Sequence, residues 1–172
     1  INQSLYGKLN YDPVKELVPL STVATAFQVL LAHPSLGVRS IAELVRAAKA
    51  KPGELMAGSA SNGTTGHLSL ELLKMLANID VAHVPYKGAG PAQVALMGGQ
   101  VHILFDSITT AVPHIRAARV QALGVTSAKR SALLPDVPSI GETVPGFETT
   151  GWFAIVAPAG TPRDIQDRLV HS

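Results

Sequence analysis

A turn of small polar residues, Gly58–Thr65, carries the clearest chemical signal in this sequence. It separates a short apolar run from a helical pattern, so it lies where a helix N-terminus exposes unpaired backbone N–H groups. Those donors and the positive end of the helix dipole attract an anion, and Gly58 and Gly63 let the backbone come close to a ligand. Hydroxyl donors are supplied by Ser59, Ser61, Thr64 and Thr65. The turn predicts an anion site, with ordinary helix capping by Ser61, Asn62 or Thr64 as the alternative.

The same turn argues against nucleotide binding and nucleophilic catalysis. It has neither the Gly-Lys-Ser/Thr of a P-loop nor the glycine spacing of a dinucleotide fingerprint. Ser59 and Ser61 also lack the Gly-x-Ser-x-Gly elbow, so a small serine hydrolase is an alternative that needs a triad assembled in three dimensions. We therefore predict a binding protein rather than an enzyme.

Two more loops follow strand-like runs and carry polar side chains. Tyr86, Lys87 and Gly88 supply an aromatic ring, a cation and flexible backbone, and Lys87 can balance a carboxylate or simply be solvated. Asp106 can accept a hydrogen bond from a ligand hydroxyl or amine, or cap the next helix. Both loops are predicted to neighbour the Gly58–Thr65 turn.

The histidines show no metal-binding pattern, and the chain has no cysteine. His67 falls on the buried side of a predicted helix and His83 within a predicted strand, so we interpret both as hydrogen-bonded structural residues. We predict neither a metal site nor a cofactor.

These loops need a framework, and strand and helix patterns alternate along the chain. Strand patterns lie at 27–32, 55–57, 81–84, 101–105 and 122–125, and helix patterns begin near Ser40, after the turn, at Pro91 and at Ala111. Such alternation predicts an α/β domain with a largely parallel sheet, whose ligands bind beyond the carboxyl ends of the strands. Capping boxes are predicted at Ser40–Glu43 and Ser139–Glu142.

The organisation changes near both ends. Leu17–Leu20 and Trp152–Val156 are isolated strand patterns, and a Pro-rich connector precedes the second. We predict a stub with a hinge at 1–21, a ligand-binding α/β domain at 22–126, and a connector that partly returns to another lobe at 127–172.

Composition excludes several function classes. The 172 residues carry 14 Lys and Arg against 12 Asp and Glu, a formal net charge of +2 without a basic cluster, so nucleic-acid binding is not predicted. Apolar runs stay far below the roughly 20 residues that a membrane span needs.

Several motifs in one order resemble a known family. They are Gly-Ser-x-x-x-Gly-Thr-x-x-His-Leu at 58–68, His-Val-Pro-Tyr-Lys-Gly at 83–88, Gly-Gly-Gln-Val at 98–101, Pro-Asp-Val-Pro at 135–138 and Ala-Pro-Ala-Gly-Thr-Pro at 157–162. Together they resemble the Bug family of tripartite tricarboxylate transporter receptors, from about Tyr11 to the end of the chain.

The resemblance implies a type II periplasmic-binding (Venus flytrap) fold that holds a small carboxylate between two lobes and delivers it to membrane permease subunits. Ser59, Gly63 and Thr64 match the family's turn, and Tyr86, Lys87, Gly88 and Asp106 lie on the neighbouring loops. Ser61 stands where relatives often carry glycine and Thr64 where they often carry serine, which implies a slightly narrower pocket.

The family's opening strand, Pro-Gly-Gly loop and leader have no counterpart in this sequence. The resemblance therefore implies a periplasmic protein made with a signal peptide, of which this chain is a fragment lacking most of the first lobe. Unpaired strand edges lead us to expect self-association of such a fragment. An effector-binding lobe of a transcription regulator, which can share the fold, is the alternative from a different class.

Overall fold

The computed structural model describes residues 2–171. In chain order its helices and strands are α1 Asn2–Leu5, β1 Leu17–Ala26, β2 Gln28–Ala32, α2 Ile41–Ala50, β3 Met56–Ser59, α3 Thr65–Ala77, β4 Ala82–Pro85, α4 Ala89–Met97, β5 Ile103–Ser107, α5 Ile108–Arg116, β6 Gln121–Val125, β7 Gly151–Pro158 and α6 Arg163–Val170. Short 3₁₀ turns lie at Pro34–Leu36 and Ile140–Glu142.

The chain forms two compact units. One is continuous, Phe27–Thr150, and the other combines the two ends, Ile1–Ala26 with Gly151–Ser172. The predicted α/β domain spans 22–126, whereas the continuous unit spans Phe27–Thr150. The continuous unit therefore includes the connector that was predicted to lie outside the α/β domain.

The continuous unit is an α/β layer structure around a five-stranded sheet with the order β4-β3-β5-β2-β6. Alternate strand residues point to opposite faces: Leu30, Phe105 and Leu123 pack with α2 and α3, whereas Leu31 and Leu104 pack with α4 and α5. Both faces are thus covered by helices, and the predicted α/β class is confirmed.

The sheet is mixed, which corrects the prediction of a largely parallel one. Strand β3 pairs in parallel with β4 and β5, but β2 pairs antiparallel with both β5 and β6. Four strands therefore share one direction, and β2 runs against them between β5 and β6. The reason is that β2 begins at the edge of the sheet where the other four strands end. Its first residue, Gln28, pairs with Ser107, the last residue of β5.

Both predicted capping boxes mark real boundaries, with one difference. The Ser139 hydroxyl and the Glu142 carboxylate form the complete reciprocal pair. At α2 the Ser40 hydroxyl accepts from the Glu43 amide, but the Glu43 carboxylate accepts from the amide of Arg39 (2.7 Å), not from that of Ser40.

The connector is further held by Arg130, whose guanidinium donates two hydrogen bonds to Glu142 and keeps the pKa of that carboxyl below its usual value.

The unit built from the two chain ends is a two-stranded antiparallel sheet, β1 with β7, together with α1 and α6. Strand β1 runs to Ala26, six residues beyond the predicted Leu17–Leu20. Large apolar side chains along β7 remain exposed, including Trp152 at 65% and Phe153 at 60%. No helix in residues 2–171 is long and apolar enough to cross a membrane.

Candidate functional site

Three strand-to-helix connections, the three loops of the site, meet at the carboxyl edge of the sheet. The third is a direct junction, which corrects the prediction of a loop there: Asp106 and Ser107 are the last residues of β5, and α5 begins at Ile108.

Ser59 and Pro85 are register partners at the ends of β3 and β4, so the loops that follow are neighbours. The Tyr86 amide donates to the Ser59 carbonyl (2.9 Å), and the Gly88 amide donates to the Ala60 carbonyl (2.8 Å). The turn after β3 and the loop after β4 are therefore one hydrogen-bonded surface.

Helix α3 presents open amides at this edge. Its N-cap, Thr64, makes no side-chain cap bond, because its hydroxyl donates to the Ser61 carbonyl (2.8 Å). The first intrahelical bond runs from the Leu68 amide to the Thr64 carbonyl (3.0 Å), so the amides of Thr65, Gly66 and His67 precede the helical ladder. An anion placed there would meet backbone donors and the positive end of the helix dipole.

Helices α4 and α5 begin at the same edge. Gly88 is the N-cap of α4, with φ 112° and ψ 167°, a conformation that only glycine adopts without strain. Ser107 is the N-cap of α5 and makes no side-chain cap bond to its helix. Three helix N-termini therefore lie at the same edge of the sheet, each without a side-chain cap.

The predicted site residues differ in burial and fall into three groups. Ser61 and Lys87 are exposed, and the half-buried residues are Gly63, Thr64, Thr65, Tyr86 and Gly88. Gly58, Ser59 and Asp106 are buried.

The buried residues are engaged within the protein. The Ser59 hydroxyl donates to the Ser61 carbonyl (3.1 Å) and lies 2.6 Å from His83 Nε2, so it serves the turn and not the surface. The Asp106 carboxylate accepts from the Ser107 amide (2.8 Å) and from the side-chain amide of Gln93. Because Ser59 has no exposed surface, its hydroxyl is not placed to attack a substrate as a hydrolytic nucleophile.

Gly58 gives room for packing rather than for a ligand. A Cβ at this position would lie 3.2 Å from Val101 Cγ2 and 3.6 Å from Tyr86 Cε2. Gly66 was not among the predicted site residues, but it lies closest to a neighbouring backbone. A Cβ at this position would be only 3.1 Å from the Phe105 carbonyl oxygen. This glycine lets α3 start directly against β5.

Gln28 is a polar residue at this edge that sequence reasoning missed. Its side-chain amide nitrogen lies 3.7 Å from the Cβ position of Gly66, and its Oε1 is buried without a hydrogen-bond partner among residues 2–171. A buried carbonyl without a partner costs free energy. The only sequence signal was a polar residue that opens an apolar strand.

Below the turn lies a pair of stacked imidazoles. The rings of His67 and His83 are 4.1 Å apart at an angle of 19°. Burial and the neighbouring His67 lower the pKa of His83 below its ordinary value of 6.5. Both histidines are hydrogen-bonded, and among the described residues no group of three or more His, Asp or Glu side chains is arranged to hold a metal ion.

Two open grooves lie elsewhere on the continuous unit. One, of about 300 Å³, lies near the start of β6 and includes Arg39 and Gln121. The other, of about 340 Å³, includes Val45 and Leu76. Neither contains a residue of the three loops.

Comparison with known proteins places the whole chain in one family. The family model "Tripartite tricarboxylate transporter family receptor" matches residues 2–172. A protein of Pseudomonas sp. (strain P51), named UPF0065 protein in the tcbD-tcbE intergenic region, is 40% identical over 171 residues. Those residues are 98% of this chain and 51% of that protein, so the chain spans about half the length of this curated relative.

Solved structures agree with the family match. An R. palustris protein solved with adipate is 39% identical with a TM-score of 0.89, over 95% of this chain and 55% of that one. MatC from Rhodopseudomonas palustris with bound malate is 32% identical with a TM-score of 0.88, over 98% of this chain and 57% of that one. The family consists of solute-binding receptors, which confirms the prediction of a binding protein rather than an enzyme. The chain belongs to the family of tripartite tricarboxylate transporter receptors.

Proposed function

We propose that this chain is the carboxylate-binding part of a periplasmic receptor that captures a small carboxylate and delivers it to the permease subunits of a tripartite transporter. The observation that carries the proposal is the convergence of α3, α4 and α5, whose N-termini lie beyond the ends of β3, β4 and β5. Open backbone amides and helix dipoles suit a carboxylate that must be held and released unchanged.

The relatives support the same class of ligand. One was solved with adipate and another with malate, and both superpose on nearly the full length of this chain. We infer that the ligand's carboxylate lies at the start of α3, bound by the amides of Thr65 and Gly66. The neighbouring loop after β4 contributes Tyr86, Lys87 and Gly88, with the exposed Lys87 as its cation.

The inward positions of Ser59 and Asp106 refine their proposed roles. Ser59 supports the turn from below, through the Ser61 carbonyl and His83. Asp106 fixes the entry to α5 through the Ser107 amide. We propose that both shape the site rather than donate directly to the carboxylate.

Calorimetric titration of the protein expressed from its complete reading frame tests the proposal. The panel contains adipate, malate, a monocarboxylate and inorganic phosphate. We expect at least one dicarboxylate to bind and phosphate not to bind. Binding of phosphate in preference to every carboxylate would contradict the proposal.

Delivery to a transporter needs a separate experiment. We expect the ligand-loaded receptor to be retained by its permease subunits in detergent micelles and the ligand-free receptor to be retained less well. Equal failure of both forms to associate with the permease would contradict this part of the proposal while leaving carboxylate binding intact.

A further inference from the structure

His67 holds the backbone of the anion-binding turn in place. It is the third residue of α3, its side chain is 15% exposed, and its Nδ1 accepts a hydrogen bond from the Gly63 amide (3.0 Å). Only an Nδ1 without a proton can accept. The arrangement therefore requires neutral His67 with its proton on Nε2.

His83 holds the other end of the same turn. Because the single Ser59 hydroxyl proton is directed to the Ser61 carbonyl, the 2.6 Å contact with His83 has the imidazole Nε2–H as the donor. The two rings stack face to face at 4.1 Å. A positive charge on one ring therefore opposes a second charge on the other.

The charged groups that face this pair are few. Glu71 Oε1 lies 4.0 Å from His67 Nε2, on the next turn of α3. Lys74 Nζ binds the same carboxylate oxygen at 3.0 Å and offsets much of its charge. From β4 the facing titratable group is His83 itself.

We propose that His67 is a positioning residue of the receptor's anion site: its unprotonated Nδ1 fixes the Gly63 amide, and protonation of the imidazole releases the turn and weakens ligand binding. The inference rests on the proposed carboxylate site and adds that the turn at this site is held by a hydrogen bond that depends on pH.

The direction of the pH effect follows from the hydrogen bond. When acid protonates Nδ1 of His67, that atom becomes an N–H donor and faces the N–H of Gly63, so neither can accept. The hydrogen bond from the Gly63 amide to His67 is then lost, and the affinity for the carboxylate ligand should fall about three- to tenfold. If attraction between an imidazolium and the anion were the larger effect, affinity would rise on acidification, and the proposal would be wrong.

Two substitutions separate positioning from simple structural support. His67→Asn places an amide oxygen close to the position of Nδ1 and does not titrate. His67→Leu removes the acceptor. His114→Gln, on α5, is the matched control for the loss of one histidine.

The first measurement needs no ligand. Hydrogen-exchange protection of the Gly63 amide is followed by NMR between about pH 8 and about pH 5. We expect protection to fall on acidification in the wild type and in His114→Gln, to persist in His67→Asn and to be lost at every pH in His67→Leu. Protection that is independent of pH in the wild type, or unchanged in His67→Leu, overturns the role of His67.

The second measurement is calorimetric titration of adipate and malate at about pH 7.5 and about pH 6. We expect binding to weaken about three- to tenfold in the wild type and to change less in His67→Asn, since the ligand's own ionisation is common to both proteins. An equal change in the two proteins overturns the proposal. If neither ligand binds the wild type at either pH, the proposed function fails, and the amide measurement still decides whether His67 fixes the turn.

Discussion

At the scale of single residues, backbone conformation shapes the site as much as side-chain chemistry. Gly63 and Gly88 both have positive φ, 74° and 112°, next to the starts of α3 and α4. These conformations hold the loop backbones at the carboxyl edge, beside the open amides that begin α3. Substitutions at these two positions therefore test the site without touching a charged group.

Gly88→Ala should lower the free energy of unfolding by about 1–3 kcal/mol. The cost is conformational alone, because the nearest atom to an added Cβ is Pro91 Cδ at 4.0 Å. Urea denaturation measures it. Gly90→Ala is the matched control: nothing lies within 4 Å of its Cβ position, and alanine in α4 should be neutral or about 1 kcal/mol stabilising. Equal effects of the two substitutions would contradict this account.

The free energy of unfolding should fall as the pH drops below about 6.5. Burial and His67 lower the pKa of His83 in the folded protein from 6.5. Between the two pKa values the unfolded chain binds more protons than the folded one, so acidification favours unfolding, and the effect ends below the folded pKa. Urea denaturation at a series of pH values measures this dependence.

In His83→Gln the corresponding part of the pH dependence should disappear, because glutamine keeps an N–H donor for Ser59 but does not titrate. His114→Gln serves as the control and should retain the wild-type dependence. A wild-type protein that becomes more stable on acidification over this interval would contradict the assigned direction of the shift.

The positions of the residues at the carboxyl edge of the sheet were predictable from the sequence, but the directions of their side chains were not. The connection between β3 and α3 lies within the predicted Gly58–Thr65 turn, since apolar runs and capping residues mark strand and helix ends locally, but Gly58 and Ser59 belong to β3 and Thr65 begins α3. The inward direction of Ser59 was not predictable, because it depends on His83, 24 residues further along the chain. The orphaned Oε1 of Gln28 likewise depends on α3 packing against β5.

At the scale of elements, close packing between β6 and its cover depends on Gly124. A Cβ at this position would lie 2.7 Å from Ile140 Cγ1 and 3.2 Å from Ile41 Cγ1, both fully buried side chains. Gly124→Ala should therefore destabilise the protein by about 1–3 kcal/mol. Thermal or urea denaturation measures the change.

A double substitution checks that the contact with Ile140 is the cause. Ile140→Ala removes the obstructing atoms, so Gly124→Ala should cost less in that background than in the wild type. Additive effects of the two substitutions would show that the destabilisation arises elsewhere.

The order of elements was predictable, whereas the direction of β2 was not. Apolar runs and caps are local signals, so they indicated the alternation of strands and helices. Strand direction depends on where the chain enters the sheet. The first residue of β2, Gln28, pairs with Ser107 at the end of β5, and these two residues are 79 positions apart in sequence (107 − 28). A buried central strand has the same apolar pattern in either direction.

At the scale of the molecule, the unit made from the two chain ends has little core of its own. Strands β1 and β7 form an isolated two-stranded sheet, and the buried class contains no residue of α6. Apolar side chains are exposed on both sides of β7, with Trp152 and Val156 on one side and Phe153 and Ile155 on the other. Such a sheet is marginally stable alone.

We therefore predict that this 172-residue chain self-associates at micromolar concentration. Sedimentation equilibrium measures it, and replacing Trp152 and Val156 by glutamate should shift the chain towards monomer. The matched control is Val94→Glu, an exposed position on α4, which should leave association unchanged. A wild-type chain that stays monomeric up to millimolar concentration would contradict the prediction.

The central claim is that a small carboxylate binds at the turn that begins α3, and one titration tests it most directly. Adipate and malate are titrated calorimetrically into the protein expressed from its complete reading frame, as wild type, Gly63→Val and Gly146→Val. The two glycines have similar positive φ, 74° and 83°, but Gly146 lies in the connector, outside the three loops. The account predicts that at least one ligand binds the wild type and Gly146→Val alike and binds Gly63→Val at least about tenfold more weakly, or about 1.4 kcal/mol. Equal affinity of all three folded proteins would contradict it.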